Sequence, residues 1–330
     1  MAQAYIADVV CLRPEADFVR VGAAAPSTLS VTYLAPGDAA VAEALRAARA
    51  LVIPAVGPKL DGALFEDCRL QLVQVTGAGL DRLDRAVLER RGIPVANVPG
   101  GSNAALAEYA LTSASLLLRR LSWADAEIKA GRYAAFRSRM LADNLRGIEG
   151  LLVGIVGFGT IGVAVARAFR NAGARLCYYD PAPPNPAEAD ALGAQAMTLE
   201  DLLAEADVVS LHVPLLPQTR NLIGTKQLAR MKPDAVLIQA SRGGIVDEAA
   251  LAARLRDGLI GGAAVDVYTT EPPEPDNPLL KLDGEGARRL LLTPHIAGVT
   301  RQSAAFLFRS AWDNVEAVLL RGEAPRHRAY

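Results

Sequence analysis

The tightest constraint on this chain lies near its middle. Leu152–Val156 is a short, wholly apolar run; Gly157-Phe158-Gly159-Thr160-Ile161-Gly162 follows at once, and an alanine-rich helical stretch over 163–172 follows that. A buried strand, a glycine turn and a helix in this order set a pyrophosphate on a helix N-terminus, the glycines permitting the tight turn and the close approach. A single GxGxxG is weak by itself, because glycine-rich turns are common. It gains weight from a second strand, Arg175–Tyr179, that ends in Asp180, 18 residues after Gly162, where a carboxylate meets the adenosine ribose hydroxyls. No Lys or Arg occurs over 181–197, so nothing nearby welcomes a 2′-phosphate, and NAD is expected over NADP. The 17 uncharged residues 150–166 are too short and too rich in glycine for a membrane span.

Downstream, three polar islands follow apolar runs that read as buried strands. Ser241-Arg242-Gly243-Gly244 comes after 235–240, Glu271-Pro272 shortly after 262–268, and Thr293-Pro294-His295-Ile296 after 289–292; a helical stretch over 247–257 and a proline-rich loop separate them. In an open parallel sheet the strand C-termini share the edge where ligands bind, so an arginine, an acid and a histidine distant in sequence can converge. A guanidinium grips a carboxylate bidentately and stays charged. A histidine carries a proton near neutrality, and a carboxylate beside it favours the imidazolium form. For a 2-oxo acid, Arg242 would hold the carboxylate and polarise the ketone. His295 would protonate the oxygen as hydride arrives at carbon, with Glu271 orienting and charging the histidine. The competing reading is three unrelated surface residues at loop starts.

At 330 residues the chain has room for two ordinary domains. With 51% hydrophobic and 22% charged residues it suits buried parallel strands, and a net charge of -1 gives no footing for a polyanion; neither a nucleic-acid nor a membrane partner is expected. Residues 1–11 lack a basic region and carry Asp8, which reads as a first strand and not an export signal, so a cytoplasmic location is expected. Cys11, Cys68 and Cys177 sit in apolar contexts, as buried free thiols with no metal site. The fold class expected is α/β, with two Rossmann-like or flavodoxin-like domains built on parallel sheets. The first domain has strands near 5–12, 30–34, 51–56 and 70–75, with helices at 38–49 and 81–91. A long helix over 103–121 leads into the nucleotide fold, and a last helix over 303–321, with Phe306, Leu307, Ala311, Val315, Val318 and Leu319 apolar, returns to the first domain. The substrate domain is thus discontinuous, 1–101 with 300–330, around an NAD domain at 102–299. Two crossings of this kind form a hinge able to exclude water during hydride transfer. About thirty residues before Leu152 carry Trp123, Tyr133, Phe136, Met140 and Leu141, an arm with apolar groups to cover, and a two-fold homodimer is expected to cover them.

At this point the residues resemble the D-isomer-specific 2-hydroxyacid dehydrogenases over nearly the whole length. The matching stretches are Val75-Thr76-Gly77-Ala78-Gly79-Leu80-Asp81, Gly92-Ile93-Pro94-Val95, the Gly157 to Gly162 turn, His212-Val213-Pro214-Leu215 with Thr219-Arg220, and Arg242-Gly243-Gly244-Ile245-Val246-Asp247-Glu248. Asp266-Val267-Tyr268, Glu271-Pro272 and Pro294-His295-Ile296-Ala297-Gly298 complete the series. The resemblance implies an NAD-dependent oxidoreductase acting on the CH–OH group of a small 2-hydroxy acid, with Arg242 as its substrate-binding arginine, Glu271 its acid and His295 its proton donor and acceptor. It also implies substrate carboxylate binding by backbone amides around Ala78 and Gly79. For the cofactor it implies a site made by Gly157, Gly159, Thr160, Ile161 and Gly162 at the pyrophosphate, Asp180 at the ribose and Asp266 at the carboxamide. Pro214, Thr219, Ala240, Ser241, Arg242, His295 and Gly298 would line the groove, and a dimer would form through the cofactor domains. Two departures touch the substrate pocket: Gln239-Ala240-Ser241 stands where many relatives have an Asn-Thr-Ala run, and Tyr133 stands near a frequent tryptophan.

Blander readings stand beside these. Gly77 and Gly79 also suit a plain strand-to-helix turn, Asp266 a strand-end cap, and His212 a structural histidine or a cofactor neighbour, not a catalyst. His327 in the basic tail 321–328 reads as part of a solvated terminus, and Arg132, Arg137, Arg139 and Arg146 as surface or interface charges. Two other function classes remain: a non-enzymatic NAD-sensing corepressor-like protein on the same fold, and a hydrolase that uses bound NAD internally.

Overall fold

The computed structural model describes residues 7–181 and 186–330; Tyr5 and Ile6, at the start of the first expected strand, lie outside them. Two compact units are formed, one by the chain through Ser102 together with Val299–Tyr330, the other by Asn103–Gly298.

The first unit holds β1 (Ala7–Cys11), β2 (Leu29–Tyr33), β3 (Ala50–Ile53), β4 (Leu72–Val75) and β5 (Val95–Ala96), all parallel, in the order β2-β1-β3-β4-β5. Alternation along β1 shows why these runs are apolar on both sides. Val9 and Cys11 face one core with Phe18, Phe308 and Trp312, while Val10 and Leu12 face another with Leu45, Phe65 and Leu88. Covering both faces is what lets a parallel sheet form. The terminal helix Arg301–Arg321 supplies much of the first cover. Its start is fixed by a capping box between Thr300 and Ser303, and its Phe308 and Trp312 rings lie 4.6 and 5.1 Å from that of Phe18. Phe306, expected on the apolar face, is exposed. The short helix Glu15–Arg20, which places Phe18, was not read from the sequence.

The second unit holds β6 (Leu152–Val156), β7 (Arg175–Tyr179), β8 (Ala194–Ala196), β9 (Val208–Leu211), β10 (Val236–Gln239), β11 (Gly262–Val265) and β12 (Leu290–Leu292), in the order β12-β11-β10-β9-β6-β7-β8 and again parallel. The order reverses at the β6–β9 pair, which creates the crevice beyond the strand C-termini where open α/β sheets bind ligands. Residues 150–166 divide between β6, the glycine turn and the start of the helix Thr160–Asn171; no helix of the described residues is long and apolar enough to cross a membrane.

Several expectations are corrected. The helix expected over 103–121 stops at Leu118, where Arg120 takes a left-handed φ of 50°, and the arm that follows folds into two helices of its own, Leu121–Lys129 and Tyr133–Ala142. Trp123 and Phe136 are buried there with ring centroids 5.4 Å apart, and the guanidiniums of Arg139 and Arg288 lie 4.5 and 5.1 Å from the Trp123 ring centroid. Arg132 pairs with Glu127, Arg139 with Glu285 and Arg146 with Asp207, so three of the four arginines read as surface or interface charges knit the unit internally. The carboxylate of Glu127 is held down to about 2, chiefly by its bond from Arg132. The basic tail is likewise not simply solvated. Arg328 bridges Ala96 in antiparallel fashion, and Ala329 N donates to Val95 O at 2.7 Å.

Candidate active site

Three adjacent strands position the polar islands. Gln239 at the end of β10 lies opposite Val265 of β11, and Val265 opposite Leu292 of β12, so Ser241-Arg242, Asp266 and Thr293 to His295 leave the sheet along one edge. Glu271 and His295 meet there. Glu271 Oε2 lies 2.8 Å from His295 Nδ1, and Glu271 Oε1 accepts from Tyr268 N at 3.0 Å. With Nδ1–H directed at the carboxylate, Nε2 is the nitrogen left to exchange a proton with a ligand.

His295 sits at φ 55°, a left-handed conformation that non-glycine residues adopt only when their surroundings hold them there. Asp266 does much of the holding. Its carbonyl accepts His295 N at 2.8 Å, Oδ1 accepts Ile296 N at 2.8 Å and Thr293 Oγ1 at 2.6 Å, and Oδ2 accepts Ala297 N at 2.8 Å. Tyr109 Oη, from the helix Asn103–Leu118, lies 2.7 Å from Thr293 Oγ1. The sequence placed Asp266 at the strand end; its role in bracing the histidine turn, and those of Thr293 and Tyr109, were not legible, because hydroxyl partners leave no spacing signal.

Arg242 is braced in a comparable way. The Gln239 side chain, buried at the end of β10, donates through Nε2 to Arg242 O at 2.8 Å and accepts at Oε1 from Ser241 Oγ at 2.8 Å. A Cβ on Gly243 would fall 1.7 Å from Tyr268 O, so only glycine lets this turn lie against the strand end that leads to Glu271. Glu248 ties down the loop carrying Glu271 from its far side, accepting from Thr269 N and Asn277 Nδ2, both at 2.6 Å.

The glycine turn brings a strand end and a helix start close together. A Cβ on Gly162 would fall 2.0 Å from Gly157 O, so the helix can approach the turn closely only with glycine there. The helix Thr160–Asn171 starts at Gly159 without a side-chain cap, which leaves its first amides for an anion. Asp180 follows β7 and accepts Phe158 N at 2.7 Å through Oδ2. Pro214 and Thr219 are brought together, Thr219 Oγ1 donating to Pro214 O at 2.6 Å, and Ala240 and Ser241 continue from β10 beside them in the chain order of the sheet.

Ser210 Oγ lies 2.8 Å from His212 Nε2, and His212 N donates to Val156 O at 2.7 Å. Burial pushes its imidazole down to about 4, so it is neutral at working pH, which fits a structural role. In the first unit, Gly77 O accepts Val98 N at 2.9 Å and Ala78 O accepts Asn97 Nδ2 at 2.8 Å.

Comparison with known proteins gives this chain relatives. Residues 111–297 match the model of the D-isomer specific 2-hydroxyacid dehydrogenase NAD binding domain. The chain is similar to a glyoxylate reductase of Korarchaeum cryptofilum, 36% identical over 292 residues that cover 88% of this chain and 85% of that protein. It is also similar to a D-3-phosphoglycerate dehydrogenase of Archaeoglobus fulgidus, 36% identical over 246 residues, 74% of this chain but only 45% of that longer protein. Among solved structures, the TT0316 protein of Thermus thermophilus superposes with a TM-score of 0.82 at 30% identity, covering 98% of this chain and 100% of the other.

Proposed function

The chain belongs to the D-isomer-specific 2-hydroxyacid dehydrogenase family, and from that premise we propose how its own residues carry the reaction. The class is settled by membership: an NAD-dependent oxidoreductase acting on the CH–OH group of 2-hydroxy acids. The residue roles rest chiefly on one observation, the Glu271–His295 pair at the edge of a sheet that also carries the glycine turn and Asp180.

Gly157, Gly159, Thr160, Ile161 and Gly162 would hold the pyrophosphate of NAD, Asp180 its ribose, and Pro214, Thr219, Ala240, Ser241 and Gly298 the groove toward the nicotinamide. Asp266 already spends three acceptor positions on the histidine turn, so a carboxamide contact would fall to the remaining lone pair of Oδ2. When bound, NADH supplies the hydride that reaches C2 of a 2-oxo acid. Arg242 holds the substrate carboxylate and withdraws charge from the ketone. In the first unit, the Ala78 and Gly79 amides would be the donors for a substrate carboxylate. His295 gives the proton from Nε2 to the ketone oxygen, and in the reverse direction takes it back. Glu271 fixes the ring and balances the charge it carries as an imidazolium.

Small 2-oxo acids are the substrate class proposed, in a cytoplasmic homodimer; the buried unpaired thiols Cys11, Cys68 and Cys177 support a reducing compartment. The test is NADH oxidation with glyoxylate, hydroxypyruvate, pyruvate and 3-phosphohydroxypyruvate in turn. Turnover with at least one is expected, and NADH left unoxidised by all four would overturn the reading, as a corepressor or a hydrolase with bound NAD would leave it.

A further inference from the structure

The turn that carries Ala78 and Gly79 is held by its carbonyls. A peptide group is planar, so C=O of one residue and N–H of the next point in opposite directions. Val98 N fixes Gly77 O, which turns the Ala78 N–H away from β5; Asn97 Nδ2 fixes Ala78 O, which turns the Gly79 N–H away likewise. Both consecutive amides are thereby turned away from the groups that hold the turn. Both holding groups come from the two residues that follow β5.

Those residues are in turn held by the end of the chain. His327 O accepts Asn97 N at 3.3 Å, Ala329 N donates to Val95 O at 2.7 Å, and Tyr330 O accepts Val95 N at 3.2 Å. One step earlier, buried Asn314 of the helix Arg301–Arg321 accepts Arg326 N at 2.8 Å and donates to Arg326 O at 3.2 Å, while its amide also reaches Gln74 Oε1 of β4 at 2.6 Å. His327 takes φ 51°, a conformation held by bonds on either side of it. The Arg85 guanidinium lies 5.1 Å from the Tyr330 ring centroid and adds a further tie.

We propose that residues 326–330 form a strap that positions the substrate turn: by holding Asn97 they fix the Ala78 peptide and aim the Ala78 and Gly79 amides at the substrate carboxylate. This deepens the reading given above and rests on it. Asn97 and the strap are positioning elements; neither takes part in proton or hydride transfer.

The experiment compares Asn97→Ala, Ala329→Pro and the double variant with the parent, using whichever 2-oxo acid the parent reduces. Asn97→Ala keeps the backbone bond to His327 and removes only the bond to Ala78 O; Ala329→Pro removes the donor to Val95 O. The KM for the 2-oxo acid should rise about 5- to 10-fold in Asn97→Ala, the factor set by one lost hydrogen bond, and about 3-fold or more in Ala329→Pro, with KM for NADH within about twofold of the parent in both. Because the strap acts through Asn97, the double variant should match Asn97→Ala alone and not multiply the two effects. Unchanged oxo-acid KM in either single variant, multiplicative effects in the double, or an equal rise in KM for NADH would overturn the strap. Should Ala329→Pro fail to fold, truncation after Pro325 takes its place with the same expected split. A parent that reduces no 2-oxo acid would instead sink the site reading on which the proposal rests.

Discussion

At the scale of single residues, the chemistry reduces to which atoms are already committed. Glu271 has one oxygen on Tyr268 N and the other on His295 Nδ1, so it is placed to orient the ring. His295→Ala should therefore lower kcat by about 100-fold or more, the usual contribution of a positioned acid, with KM for NADH near the parent value in steady-state kinetics. Glu271→Gln keeps the shape and removes the charge; a loss of roughly 10-fold or more in kcat is expected, and full activity would argue against the pairing. Asp180 poses a separate question, because in the proposed role its carboxylate would repel a 2′-phosphate, and no Lys or Arg occurs over 181–197. kcat/KM should favour NADH over NADPH by about 10-fold or more, and equal values would defeat that role. His212 gives a stability prediction with a definite sign. Its folded value of about 4 lies below the ordinary 6.5, so the unfolded chain binds the proton first and stability falls as pH drops from about 6.5 toward 4. By pH 4.5 the loss attributable to this group should be about 2 kcal/mol. Urea unfolding of His212→Gln at pH 7 and 4.5 should show a correspondingly smaller drop than the parent.

At the scale of elements, the histidine turn is a strained loop held by a strand end. Thr293→Val removes the hydroxyl that joins Tyr109 to Asp266, and should lower kcat by roughly 5- to 20-fold as His295 loses part of its hold, while Tyr109→Phe should act in the same direction and less. Stopped-flow hydride transfer would show whether the chemical step itself slows. Elements of this kind mark the limit of what could be read beforehand. The apolar runs at β6, β10, β11 and β12 were visible because both faces of a parallel strand must be apolar, and the site residues were visible because they follow those runs. The tail was not: 326–330 pairs with β5 through backbone bonds at long sequence separation, and its side chains, mostly polar, show no apolar alternation. The break at Arg119-Arg120 was missed as well, because no Gly or Pro marks it and the left-handed residue is an arginine. Gln239 appeared only as a departure from the usual Asn, whereas in the fold it braces both Ser241 and Arg242.

At the scale of the whole molecule, the arm decides the question of assembly. Its need for cover is smaller than the bare sequence implied, since Trp123 and Phe136 bury each other and Arg288 and Glu285 tie the arm to the body of its own unit. What stays exposed is still substantial: Leu121, Ile128, Tyr133 and Leu141, spread over two successive helices, beside a groove lined by Met140, Leu145, Arg119 and Arg137. Single exposed apolar residues need no explanation; four along one arm are the side chains that a partner subunit would cover. A two-fold contact would let each arm cover the other, and a stable one needs more than about 1,000 Å² in total. The chain should therefore elute as a homodimer, at twice its 34.8 kDa, by light scattering at micromolar concentration. Tyr133→Asp with Leu141→Asp should shift that mass toward one chain without unfolding the protein, because both side chains are solvent-exposed in the isolated chain. A parent already eluting at 34.8 kDa would show that the arm serves its own subunit alone.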